Sequence, residues 1–141
     1  MHDTITLSGD VQVLLNNEVV LEKKNLVVTA GKGYLASALI AAPASPFVSM
    51  AIGTGTTAAT VADTALQTET ARAVFTSSSV ASNVATLSTT FIAGSGTGAI
   101  TEAGIFTNAS SGGTMLSHVV FSAVNKGSTD TLTINWTITV S

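Results

Sequence analysis

Between Asp130 and Ser141 the chain alternates almost without a break. Leu132, Ile134, Trp136, Ile138 and Val140 are apolar, and Thr131, Thr133, Asn135, Thr137 and Thr139 lie between them. A period of two places successive side chains on opposite faces, so this segment predicts a β-strand with one face for a core and one face of hydroxyls. Its many β-branched residues suit a pleated, half-buried surface. Weaker versions of the pattern recur upstream. Thr4 to Leu15 and Glu18 to Val28 predict two strands joined at Asn16-Asn17, since Asn tolerates the backbone angles of a tight turn. Arg72 to Ser79 and Val84 to Ala93 predict a second pair, joined near Ala81-Ser82-Asn83. Ile100 to Thr107 and Met115 to Phe121 predict a third, with Asn108 to Gly113 as its turn. Val48 to Ile52 adds a strand-like run, and Val124 to Gly127 predicts a turn into the final strand.

One segment departs from this period. After Thr29, which suits an N-cap, Tyr34, Leu35, Ala38 and Leu39 fall at helical spacing, and Pro43 and Pro46 end the run. The spacing predicts one short helix, about Ala30 to Ala41, placed to plug an open end of a β-sandwich. Short strands with turn chemistry between them predict an all-β fold: an antiparallel β-sandwich or jelly roll of about eight strands with one short helix. There is no internal repeat or linker, so residues 1–141 form a single domain. Within it, 1–28 are the N-terminal hairpin, 29–42 the helix and 47–141 the remaining strands.

Composition changes the picture in one respect. Apolar residues make up 45% of the chain but charged residues only 9%, against roughly 25% in ordinary soluble proteins. Ser, Thr, Ala and Gly take the places that Lys and Glu usually fill. A surface so poorly protected by charge suits a protein packed against copies of itself or a partner, or a Thr-rich sheet with hydroxyls outward. The net charge of −3, with no basic cluster beyond Lys23-Lys24, argues against nucleic acid and anionic membrane as partners. The absence of Cys excludes disulfides and thiolate chemistry. Met-His-Asp-Thr-Ile has neither the basic start nor the apolar core of a signal peptide, and no apolar run approaches a membrane span.

Gly53-Thr54-Gly55 follows a strand-like run, as a phosphate-cradling loop would, but no Lys follows it. A dinucleotide site would also need a third Gly and a βαβ unit. Gly31-Lys32 lacks the leading Gly and the trailing hydroxyl, and Gly94 to Gly98 fails in the same way. The only histidines are His2, near the terminus, and His118, in mid-strand, where a histidine satisfied by its neighbours is expected rather than a base for a serine nucleophile. The eight acids are scattered singly. Asp63 suits an Asx-turn and Glu69 a salt bridge to Arg72, with no metal cluster implied. The expectation is a non-enzyme without cofactor or metal. The stretch from Gly53 to Arg72 is long for a compact β-domain, and long loops commonly carry binding or interface functions.

Five stretches carry a resemblance: NLVVTAGKGYLASAL (Asn25–Leu39), MAIGTGTTAATVADTALQTE (Met50–Glu69), GSGTGAITEAGIF (Gly94–Phe106), SGGTML (Ser111–Leu116) and VNKGSTDTLTINWTITV (Val124–Val140). Together they resemble small virion structural proteins of tailed bacteriophages, a family labelled variously as head-decoration or tail-fibre proteins. The match runs in order from Asn25 onward; Thr4 to Val20 resembles the family less distinctly. The resemblance implies a turn locked by Asp63 and Thr64, with Leu66 anchoring the loop inward and Gly53 and Gly55 serving backbone geometry. It implies no catalytic residues. It implies a capsid decoration protein that cements the head, made in the host cytoplasm and located in the virion. The alternative is a tail fibre, baseplate or adaptor component, but the chain lacks the shaft repeats, heptads and aromatic surface expected there. Expected partners are the chain itself, as a homotrimer, and the major capsid protein or other virion proteins. Expected contacts are the N-terminal Met1, His2, Asp3 and Thr4, and Thr54, Thr56, Thr57 and Thr60 of the long loop. Both segments are expected to be ordered more readily by a neighbour than by the domain itself.

Overall fold

The computed structural model describes residues 4–41 and 45–141. The strands are β1 (Leu7–Leu15), β2 (Glu18–Lys24), β3 (Leu26–Val27), β4 (Ser49–Gly53), β5 (Glu69–Val74), β6 (Ser77–Ala81), β7 (Val84–Phe91), β8 (Gly98–Phe106), β9 (Met115–Lys126) and β10 (Leu132–Val140). A single helix, α1 (Thr29–Ser37), follows β3. The strands form two five-stranded antiparallel sheets, ordered β2-β1-β10-β7-β6 and β3-β9-β8-β4-β5. An all-β sandwich with one short helix is therefore what this sequence folds into, with ten strands where periodicity predicted about eight.

The difference in strand number has two sources. The first predicted hairpin stands at Asn16-Asn17, whose positive φ values of 50° and 68° are those of a tight turn. Its second strand, however, breaks at Asn25: β2 stays in the first sheet and β3 joins the second. Likewise the run Arg72 to Ser79 is two strands. β5 ends at Val74, and Phe75-Thr76 carries the chain across to β6 at the edge of the opposite sheet. Thr4 to Thr6 precede β1 rather than belong to it, and β9 continues through Val124-Asn125-Lys126, so the turn into β10 falls at Gly127–Asp130. There Asp130 accepts the Gly127 N–H at 2.8 Å and the Asn16 side-chain amide at 3.0 Å. Helix α1 starts at Thr29 with Val28, not Thr29, as its cap, and ends at Ser37 instead of Ala41. It lies on β9, where a Cβ on Gly31 would meet the Leu116 carbonyl oxygen at 2.6 Å, so only glycine permits the approach. The expected endpoint Pro43 lies outside the described residues.

The core between the sheets is filled by alternate residues of the central strands, among them Val11, Val13, Ile134 and Trp136 facing Ile52 and Ile105. β4 is buried on both faces: Met50 and Ile52 enter this core, whereas Ala51 enters a second, smaller cluster with Val28, Leu66, Phe106 and Met115 on the outer side of the second sheet. The molecule thus has a third layer on one side only.

Trp136 is fully buried, and its indole N–H has no acceptor. Trp136→Ala should cost about 3–5 kcal/mol through the lost transfer energy and the cavity left behind. Trp136→Phe should cost less than half of that, since it keeps an aromatic ring and removes an unsatisfied donor. Urea unfolding of the two variants checks the order; equal losses would mean that the indole N–H has a partner.

Candidate functional site

The third layer is the long loop, residues 54–68, and Glu102 holds it in place. β8 and β9 shift register between Ile100 and Glu102. Across this irregularity Thr101 and Glu102 are both turned to the outer side of the sheet, and both engage Gly55. The Thr101 hydroxyl donates to the Gly55 carbonyl at 2.6 Å, and the Gly55 N–H donates to Glu102 Oε2 at 2.8 Å. The same carboxylate accepts the N–H groups of Gln67 at 2.9 Å and Thr68 at 2.8 Å. Its fourth partner is His118 Nε2, at 2.9 Å from Oε1. His118 reaches Asp63 Oδ2 with its other nitrogen at 2.7 Å, and Asp63 also accepts the N–H and hydroxyl of Thr60. Glu102 and His118 are both fully buried. Each ring nitrogen faces a carboxylate oxygen, so each contact is a hydrogen bond only when that nitrogen carries a proton.

Burial alone would raise the Glu102 carboxyl, but the hydrogen bonds from Gln67, Thr68, His118 and Gly55 outweigh it and hold the group below the usual range. Asp63 is balanced in the same way: burial raises it, and the Thr60 N–H, His118 and the Thr60 hydroxyl lower it further. Every strong donor and acceptor in the cluster is thus committed within the protein. Both ring nitrogens of His118 face carboxylates, and among the described residues no serine hydroxyl is bonded to them. Among the described residues no group of three or more His, Cys, Asp or Glu side chains is arranged to hold a metal ion.

Gly53 and Gly55 have a physical explanation in this geometry. A Cβ on Gly53 would lie 2.2 Å from the Thr68 carbonyl oxygen, and one on Gly55 would lie 2.4 Å from Glu102 Oε2. They allow close backbone approach. Leu66 is buried beside Gly104 and Phe106, and the Arg72 guanidinium lies 4.0 Å over the Phe106 ring. Arg72 is paired with Glu69, as the sequence suggested, and also donates to the carbonyls of Asn108 at 3.1 Å and Gly112 at 2.7 Å, tying down the β8–β9 turn. The Asp63 carboxylate reaches back to Thr60 rather than forward, with a backbone bond from the Asp63 N–H to the Thr60 carbonyl closing the turn.

The expected contact residues are therefore placed differently from one another. Thr54 is half-buried, its N–H bonded to the Thr68 carbonyl, and Thr60 is engaged with Asp63. Thr56 and Thr57 are exposed on the outside of the loop, with the Thr57 backbone bonded on both sides to the Gln67 amide. The loop is bonded to its own domain at both ends, through Gly55, Gln67 and Thr68 to Glu102. Thr4 is exposed ahead of β1 in the other sheet, and the chain is already tied at Thr6 by reciprocal backbone bonds with Ser141. Thr4 and the loop do not form one patch. Met1, His2 and Asp3 lie outside the described residues.

The uncovered face is the outer side of the first sheet. A row of hydrogen bonds crosses it from Glu22 to Gln12, Asn135 and Ser88, at 3.1, 3.1 and 2.8 Å. Thr90 and Thr133 share a second cross-strand bond at 3.0 Å. The face is a lattice of amides and hydroxyls with charge only on β1 and β2, among Asp10, Glu22 and Lys24. Sequence reasoning found this face but missed the Asp63–His118–Glu102 cluster. The available signal was a lone acid inside the apolar run Ala99 to Phe106 and a lone histidine inside an apolar strand. In a chain so poor in charge, each of those positions needed a partner.

Comparison with protein-family models, with curated proteins and with solved structures finds no match for this chain.

Replacing Glu102 by Gln leaves three loop N–H groups and His118 sharing an acceptor of half the capacity. The loss should be about 3 kcal/mol or more, the size expected when one member of a buried ionic group is removed. Limited proteolysis should then cut within residues 54–68, which should be protected in the parent protein. Both carboxyls are held low in the folded state, so the unfolded chain binds more protons as pH falls. Their contribution is present in full above the unfolded carboxyl range of about 4 and is lost as pH drops through the lower folded values. Urea unfolding between about pH 6 and pH 3 should show this acid-side loss, and Glu102→Gln should flatten it. An unchanged pH slope would remove Glu102 from that role.

Proposed function

We propose that this chain is a virion structural protein of a tailed bacteriophage, acting as a capsid decoration protein that stabilises the head. The observation that carries the reading is the distribution of charge and apolar surface. The buried ionisable groups Glu102 and His118 are consumed in holding a loop, and most of the open sheet face presents amides and hydroxyls to its surroundings. Apolar side chains stand out elsewhere on the molecule, with Ile40 93%, Leu39 85%, Ile5 79% and Val80 76% exposed. Such a surface is poorly suited to remaining free and well suited to burial against other subunits. The sequence resemblance from Asn25 onward supplies the setting. In this reading the protein is not an enzyme and takes no cofactor.

Decoration would stabilise the shell by mass action, because the assembled surface binds the protein and dissociated capsid subunits do not. Closed rotational symmetry would let one patch be reused at equivalent positions of the shell. Labelling the protein and imaging purified particles tests the placement. Many copies across the shell are expected, and particles lacking the protein should assemble yet release DNA at lower temperature. Thr56→Lys with Thr57→Lys, which alters the exposed outside of the loop and leaves the backbone bonds of Thr57 to Gln67 in place, should lower occupancy if the loop makes the contact. Label confined to the tail would move the protein to a fibre, baseplate or adaptor role, and absence from particles would end the reading.

A further inference from the structure

We infer that β6 is a self-pairing edge, through which two copies of this chain join their first sheets into one ten-stranded sheet about a two-fold axis. This holds whether or not the protein sits on a virion. The sandwich has four sheet edges. β3 is only two residues long. β2 carries Glu18, Glu22, Lys23 and Lys24, and β5 carries Glu69 and Arg72. Charges of this kind are the usual guard against edge-to-edge pairing. β6, with the sequence Ser-Ser-Ser-Val-Ala, has none, and all five residues are exposed. No charged residue occurs anywhere between Arg72 and Glu102. Among the described residues no strand pairs with the outer edge of β6, which ends the strand order of the first sheet.

The backbone of β6 is presented for pairing. Its hairpin with β7 closes at Ala81↔Val84 around Ser82-Asn83, with Ser82 at a φ of 56°. A two-residue turn is flanked by a hydrogen-bonded pair, so Ala81 and Ser79 direct their N–H and C=O groups toward β7, and Ser78 and Val80 direct theirs outward. A strand laid antiparallel on this edge with Ser79 opposite Ser79 would pair Ser78 of each copy with Val80 of the other. Both outward residues would then exchange reciprocal hydrogen bonds. The occupant is a second copy because this register is self-complementary and its side chains are small. Two chains of net charge −3 also approach with least repulsion along an edge that has no charge. Pairing would cover part of Val80, which is otherwise 76% exposed.

Sedimentation of the purified chain over a range of concentrations tests this. A mass of two copies is expected, with the amides of Ser78 and Val80 exchanging more slowly as concentration rises. Val80→Lys and Ser78→Lys, both on exposed positions, should raise the dissociation constant by about tenfold or more without altering the unfolding curve. Val19→Lys on β2 should leave the dimer intact. A monomer at every soluble concentration, a mass of three copies, or a dimer that survives both β6 substitutions would overturn the proposal. None of these results depends on where the protein sits in a particle.

Discussion

The Glu102 carboxylate accepts hydrogen bonds from three backbone N–H groups of one loop and from a buried histidine, and the unusual half of this sandwich follows from it. A carboxylate at zero exposure is costly to bury unless its lone pairs are filled. Here the donors come from Gly55, Gln67 and Thr68, residues that bracket the loop at both ends, so satisfying the charge also closes the loop. The requirement propagates outward. Gly53 and Gly55 must lack side chains for the backbone to come close enough, and Leu66 must turn inward to pack beside Phe106. His118 in turn carries the constraint to Asp63 and the turn at Thr60. A segment that could have been a free surface loop becomes a third layer of the protein.

That layer makes the two outer faces unequal. The second sheet is roofed by the loop and helix α1, and its outer side chains form a small core of their own around Phe106 and Met115. The first sheet has no roof and meets its surroundings with amides and hydroxyls joined across strands. Cross-strand hydrogen bonds such as Asn135 to Gln12 and Ser88 to Asn135 fix the side chains of this face, which lowers the ordering cost when another surface is laid on it. The same economy of charge that leaves β10 and β7 uncharged on this face also leaves β6 unguarded. Surface chemistry, sheet edges and the proposed structural role therefore share one origin in the composition of the chain.

Several elements were legible from local pattern alone. The alternation from Leu132 to Val140 predicts β10, and its inward face as far as Ile138, with Val140 exposed at the strand's end, because a strand's period of two is written in adjacent residues. Asn16-Asn17 and Ala81-Ser82-Asn83 mark hairpin turns for an equally local reason, the cost of positive φ for most side chains. The missing charge was legible too, and with it the neutral sheet face. Local pattern failed where the chain changes sheets. Arg72 to Ser79 reads as one strand, and nothing in those residues says that Val74 belongs to one sheet and Ser77 to the other.

The sequence by itself determined an antiparallel β-sandwich with a hydroxyl-bearing face, since periodicity, turn residues and composition act over a few positions at a time. Only the tertiary structure decided that the loop is stapled down and which polar residues do it. Asp63 and His118 are 55 positions apart, and their meeting depends on how β8 and β9 pair, with Gly104 opposite His118. The turning of Glu102 to the outer side goes with a register irregularity between those same strands. A shift of one residue in that pairing would turn Glu102 toward the core and leave the loop without its anchor. Register is a property of two strands together, and neither strand's sequence contains it alone.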